Sequence, residues 1–183
     1  MTVTRTYFNN EINNPEQVED KDTWELLAKT AVLCNDCSLN EEDEETEILG
    51  DPTEAALVNI GLDTGINKNE LEAKYSRIGE VPFDSERKMM STIHDQGETN
   101  RVSTKGAVDV ILEKCNRILK DEEVVDLTEE IMEEIDQAND EMASNALRVL
   151  GFAYKDIKEV PEAINSETVE NNLIFIGLMG MID

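Results

Sequence analysis

The chain has 183 residues, 42 of them acidic and 16 basic, for a formal net charge of −26. That balance excludes nucleic acid and an anionic membrane surface as partners, since both need a basic face. Surface charge is screened beyond about 8–10 Å at physiological salt, so a local group of Lys and Arg can still hold a small anion.

The length fits one domain with a core that needs no staples. Three cysteines, an odd number, point to a reduced compartment. No signal peptide opens the chain. The most apolar stretch, Leu173 to Ile182, is well short of the roughly 18–20 residues that span a bilayer.

Met1 to Phe8 alternates and reads as a strand. Thr23 to Cys37 carries Trp24, Leu27, Ala28, Ala31 and Val32 at helical spacing. The acidic run Glu41 to Glu45, within the stretch Asn40 to Glu47, reads as a solvated, mobile loop; it lacks the pattern of a calcium loop. Asp51-Pro52-Thr53-Glu54 opens a helix to about Ile60: Asp as N-cap, Pro in the first turn, Glu at the third position, and Gly61 as its end. Asn69 to Tyr75 is a further short helix. Extended runs follow at Arg77 to Pro82, Arg87 to His94 and Thr99 to Lys105, the last two flanking the turn Asp95-Gln96-Gly97-Glu98. Ala107 to Cys115 reads as helix, and so does Thr128 to Asn145, with Ile131, Ile135, Ala138 and Met142 on one face. Leu147 to Lys155 and Asn172 to Met179 read as buried strands. The sum is an α+β domain around a largely antiparallel sheet flanked by helices.

Hydrolytic chemistry finds little support: there is no P-loop and no Gly-x-Ser-x-Gly, and the single His94, beside a turn, reads as a surface residue. Cys34-Asn35-Asp36-Cys37 has redox or zinc spacing, but no second ligand pair accompanies it, so two cysteines near a helix end is the better reading. In Val81-Pro82-Phe83-Asp84-Ser85-Glu86-Arg87-Lys88-Met89-Met90, Phe83 is either core or a ring for stacking on a base, with Lys88 near phosphates. Ser103-Thr104-Lys105-Gly106-Ala107 joins a strand to a helix, where Gly106 permits close approach of a ligand to the backbone.

These pieces fall in a family order. Leu33-Cys34-Asn35-Asp36, Gly50-Asp51-Pro52-Thr53-Glu54-Ala55-Ala56-Leu57, Pro82-Phe83 with Arg87-Lys88-Met89-Met90, Lys105-Gly106-Ala107, Leu147-Arg148-Val149-Leu150 and Ile176-Gly177-Leu178-Met179-Gly180-Met181-Ile182-Asp183 cover nearly the whole chain. In this order it resembles the nucleotide-binding (N) domain of P2-type cation-transporting ATPases, above all the calcium pumps of bacteria. The resemblance implies that ATP binds in a cleft, with Mg2+ on the nucleotide. Phe83 would stack on adenine, and Glu54 would accept a hydrogen bond from the adenine amino group. Lys105 and Gly106 would lie beside adenine and ribose, Met90 and Leu150 would supply apolar walls, Lys88 and Arg148 would meet the phosphates, and Thr53 would add a hydroxyl. Two positions depart from the family: Ser85 replaces an Arg common in animal pumps, and Val108-Asp109 replaces Pro-Glu.

The phosphorylated Asp of the family's Asp-Lys-Thr-Gly-Thr is absent, so no catalytic residue and no metal ligand is expected here. The resemblance implies one domain over residues 1–183, both ends at the hinge to a phosphorylation domain. It also implies partners in the phosphorylation and actuator domains of the same chain, and a place on the cytoplasmic side of a multi-pass membrane protein. Alternatives are an N domain for Mn2+, Na+/K+ or H+, an acidic protein-interaction module, and a calcium buffer.

Overall fold

The computed structural model describes all residues, 1–183. Strand β1 (Thr2–Phe8) turns into β2 (Glu11–Asn13); helix α1 (Lys21–Leu33) follows, then the hairpin β3 (Ser38–Asn40) and β4 (Glu47–Leu49) with the exposed acidic run at its tip. Helices α2 (Pro52–Asp63) and α3 (Lys68–Lys74) lead into three antiparallel strands, β5 (Arg77–Asp84), β6 (Met89–Asp95) and β7 (Asn100–Gly106). Then come α4 (Val108–Lys114), β8 (Cys115–Lys120), β9 (Glu123–Asp126), α5 (Glu129–Ser144), β10 (Arg148–Ile157), α6 (Ser166–Val169) and β11 (Leu173–Ile182).

The main sheet has the order β2-β1-β11-β10-β7-β6-β5 and is antiparallel except where β8 joins the start of β11 in parallel. It is an α+β fold with helices on both faces. Trp24, Leu27, Leu57 and Leu71 of α1–α3 pack with Phe152, Ile174, Ile176 and Met179 on one face. Ile111 of α4 and Ile135, Ala138 and Met142 of α5 pack with Ala153, Phe175 and Leu178 on the other. Strand β11 is therefore a near-continuous apolar run, as a strand covered on both faces requires. A bulge at its middle, where Phe152 pairs with Gly177 and Ala153 with Phe175, reverses the alternation, so Ile176 and Met179 share a face.

Three sequence expectations are corrected. Helix α1 stops at Leu33, before both cysteines, because its last carbonyls find side-chain partners: Lys68 Nζ donates to Val32 and Asn35 oxygens (3.2 and 2.8 Å), and Arg77 to those of Leu33 and Asn35 (3.2 and 2.8 Å). Gly61 does not end α2 but lies within it; a Cβ there would stand 2.7 Å from Val32 Cγ2, so it permits close contact of α1 and α2. And His94, expected at the surface, is 1% exposed.

His94 finds no hydrogen-bond partner on either ring nitrogen, and burial, with Arg77 and Lys68 nearby, pushes its pKa down to about 4. The unfolded chain takes up a proton near pH 6.5 that the folded protein refuses until about pH 4. The penalty is absent above pH 6.5 and grows as pH falls, reaching about 2 kcal/mol by pH 5. Relative to His94→Leu, the parent should lose about that much stability between pH 7 and 5 in urea titrations; a pH-independent difference would overturn this.

Candidate functional site

The three sheet strands β5–β7, the start of β10 and the N-terminus of α2 surround a cleft of about 280 Å3. Its lining comprises Thr53, Glu54, Phe83, Lys88, Met90, Lys105, Gly106, Arg148 and Leu150, together with Asp36 and Asp51. All nine residues marked in the sequence thus meet in one place, from four separated stretches of chain.

Each is placed for a local reason. Asp51 caps α2, its Oδ1 accepting from Thr53 N (2.9 Å) and Glu54 N (3.3 Å), and this sets the first turn of the helix at the cleft wall. Glu54 does not complete a capping box. Its Oε1 instead meets Lys105 Nζ at 2.6 Å and its Oε2 accepts from Asp36 N at 3.3 Å. The helix-capping role weighed for Glu54 is replaced by a role across the cleft floor. The Lys105–Glu54 pair is largely shielded from water, with side chains 8% and 17% exposed. Thr53 Oγ1 points to Met1 Sδ at 3.4 Å.

Met90 and Lys105 are direct partners in the β6–β7 ladder, so the apolar wall and the buried cation stand side by side. Met90 is fully covered from behind: Cys34 Sγ donates to its carbonyl oxygen at 3.4 Å. Burial pushes the Cys34 thiol up to about 11, and raises that of Cys37 as well. Both are protonated, buried hydrophobes, and the Cys-x-x-Cys spacing carries neither thiolate nor disulfide.

Phe83 is the opposite case. It is 61% exposed although it is one of the few aromatic residues in the chain, and its ring forms one rim of the cleft. Lys88 and Arg148 are exposed at the same cleft, on the β5–β6 turn and at the start of β10. Lys88 takes φ +61°, a left-handed conformation closing that turn. Gly106 has a packing role as well: a Cβ there would come within 2.5 Å of Lys88 O and 2.7 Å of Met89 Cβ. Its bareness admits the neighbouring strand, at a position that also lines the cleft.

Sequence reasoning missed Asp36 and Asp51 as lining residues. Asp51 was read only as a helix cap, and Asp36 only as part of a string. Asp36 is held by Arg77 NH1 at 2.8 Å. No helix is long and apolar enough to cross a membrane.

Chemically, the cleft offers an exposed aromatic ring, an apolar wall of Met90 and Leu150, a carboxylate with acceptor capacity, and cations at Lys88, Lys105 and Arg148. That donor set fits a planar, partly polar base bearing an anionic tail. The family model for the P-type ATPase, cytoplasmic domain N, matches residues 23–183. A calcium-transporting ATPase of Bacillus cereus is 44% identical over the whole chain, and one of Listeria monocytogenes 40% identical over 93% of it. The sodium/potassium-transporting ATPase subunit alpha-1 of Oreochromis mossambicus is 34% identical over the whole chain. The chain spans about a fifth of the length of each: 20%, 19% and 20%. With the cleft, the fold and these matches in agreement, the chain belongs to the P-type ATPase cytoplasmic domain N family.

Proposed function

We propose that the cleft binds ATP and presents its γ-phosphate to an aspartate on a phosphorylation domain elsewhere in the parent protein. The observation that carries this reading is the exposed Phe83 ring facing a wall of buried Met90 and half-buried Leu150, with cations at the same cleft. Phe83 stacks the adenine, Glu54 accepts from its amino group, and Lys105, fixed by Glu54, lies beside base and ribose. Gly106 keeps the β6–β7 end of the cleft narrow, and Thr53 offers a hydroxyl. Lys88 and Arg148 hold the phosphates, Arg148 with the forked geometry that suits them. Mg2+ bound to the nucleotide would offset phosphate charge in the assembled enzyme. This domain's contribution is binding and orientation; the covalent step belongs to the partner domain.

In the parent, the activity is ATP hydrolysis coupled to cation transport, with the phosphorylation and actuator domains as partners and a cell membrane as location. Higher identity to the calcium-transporting relatives than to the sodium/potassium-transporting one supports Ca2+ as the cation. Residues 1–183 act as one unit in this reading, with the first and last strands paired from Thr2 and Ile182.

Calorimetric titration of the folded chain with ATP should give saturable binding, and no heat up to millimolar ATP would overturn the reading. Arg148→Ala should weaken ATP by roughly tenfold, one charge-assisted contact, while leaving adenosine binding within about twofold. Equal losses for both ligands would remove Arg148 from the phosphate end.

A further inference from the structure

Phe83 is mostly in solvent, and residues 82–86 around it are exposed, so packing alone does little to fix the ring. Its place is set by the β5–β6 turn. Within the turn, Asp84 Oδ1 accepts from the backbone of Glu86 (2.8 Å) and Arg87 (2.9 Å), and Lys88 N donates to Asp84 O (2.6 Å). Across it, Arg87 NH2 donates to Pro82 O (2.9 Å) and Met89 O (2.8 Å), tying the residue before Phe83 to the residue after Lys88. One guanidinium therefore bridges the two strands that carry both cleft side chains.

That guanidinium is itself held from the far side of the sheet. Its Nε lies 2.7 Å from Glu170 Oε1, an ion pair without a linear hydrogen bond, and the Glu170 side chain is 0% exposed. The other carboxylate oxygen accepts from Ser91 Oγ at 2.6 Å, and Ser91 Oγ lies 2.8 Å from Thr104 Oγ1. Ser91 and Thr104 pair in the ladder immediately beside the Met90–Lys105 pair. Side chains alternate along strands, so this buried network stands directly behind the cleft wall. A carboxylate so deeply buried needs its cation: losing Arg87 would leave it uncompensated, which binds the guanidinium to this position.

We propose that Glu170 is a positioning residue for the nucleotide cleft. Through Arg87 it fixes the β5–β6 turn, so that the Phe83 ring stands pre-set against Met90 and Lys105. The inference rests on the nucleotide reading above. Its energetic content is preorganisation: a turn already held in its binding conformation loses less freedom when the base stacks.

The test is a double-mutant cycle on ATP affinity, with melting temperature recorded for each variant. Glu170→Gln keeps the shape and can still accept from Ser91, but removes the charge that holds Arg87. With Phe83 present, its ATP affinity should fall roughly five- to tenfold, an ordering loss of about one stacking contact. In a Phe83→Ala background the same change should shift affinity by less than about twofold, because there is no ring left to place. Arg87→Lys keeps a cation for Glu170 but lacks the fork that reaches Pro82 and Met89; it should show the same dependence on Phe83, and it decides the matter if Glu170→Gln does not fold. Equal losses in both backgrounds, or unchanged affinity in both variants while Phe83→Ala binds poorly, would overturn the positioning role alone. A folded parent that binds no ATP would overturn the nucleotide reading, and this inference with it.

Discussion

Replacing Phe83 with Ala should lower ATP affinity by roughly 5- to 150-fold while leaving the fold intact. The expectation follows from two opposed quantities. Aromatic stacking on a base is worth about 1–3 kcal/mol by alanine substitution, which is the stated range of affinity. The ring's contribution to stability is small, because it is 61% exposed in the free domain and belongs to neither apolar core. Surface substitutions of this kind usually change stability by no more than about 0.5 kcal/mol. Calorimetry on the variant, with urea unfolding alongside, separates the two. Loss of stability by several kcal/mol would make Phe83 a packing residue, and retained affinity would remove adenine stacking from the site. Phe83→Trp should keep most of the binding, since a larger ring still offers a face to the base.

Which parts of this could be read in the sequence follows from how local each determinant is. Helix α2 announces itself because its N-cap, Pro52 and the first apolar turn are adjacent residues, and α5 because Ile135, Ala138 and Met142 repeat at helical spacing. The β6–β7 hairpin is equally local: Gly97, at φ +95°, supplies the left-handed residue of its turn. Strand β8 was not legible, because its extended form depends on parallel pairing of Arg117 and Ile118 with Ile174 and Phe175, far along the chain. His94 was misplaced for a similar reason. A polar residue beside a turn is normally solvated, and only the assembled layers bury it. The cleft was legible as a set of residue types that resemble a family's strings, but the Glu54–Lys105 pair was not, since nothing in the order Asp-Pro-Thr-Glu says that the carboxylate turns away from its own helix. The packing role of Gly106 was not legible, because sequence shows that a Cβ is missing and not what occupies its place.

That pair supports the second large effect. Lys105→Met should destabilise the domain by about 3 kcal/mol, the low end for removing one partner of a buried ion pair, since Glu54 keeps some contact with water. The cause is the carboxylate left behind: its remaining protein hydrogen bond is the 3.3 Å contact from Asp36 N. If so, Glu54→Gln in the Lys105→Met background should restore most of the stability, because a neutral amide in the same place needs no counter-charge. Nucleotide binding should not recover with it. The double variant would be folded, would keep Phe83, its apolar wall and a neutral amide oxygen facing the adenine amino group, and would lack the cation beside base and ribose. Stability would then return along the mutational path while affinity stayed low. A pair that served only the fold would instead let ATP affinity return together with stability. Urea unfolding and ATP calorimetry on the parent, the two single variants and the double variant distinguish these outcomes, and return of both properties in the double variant would assign the pair to the fold alone.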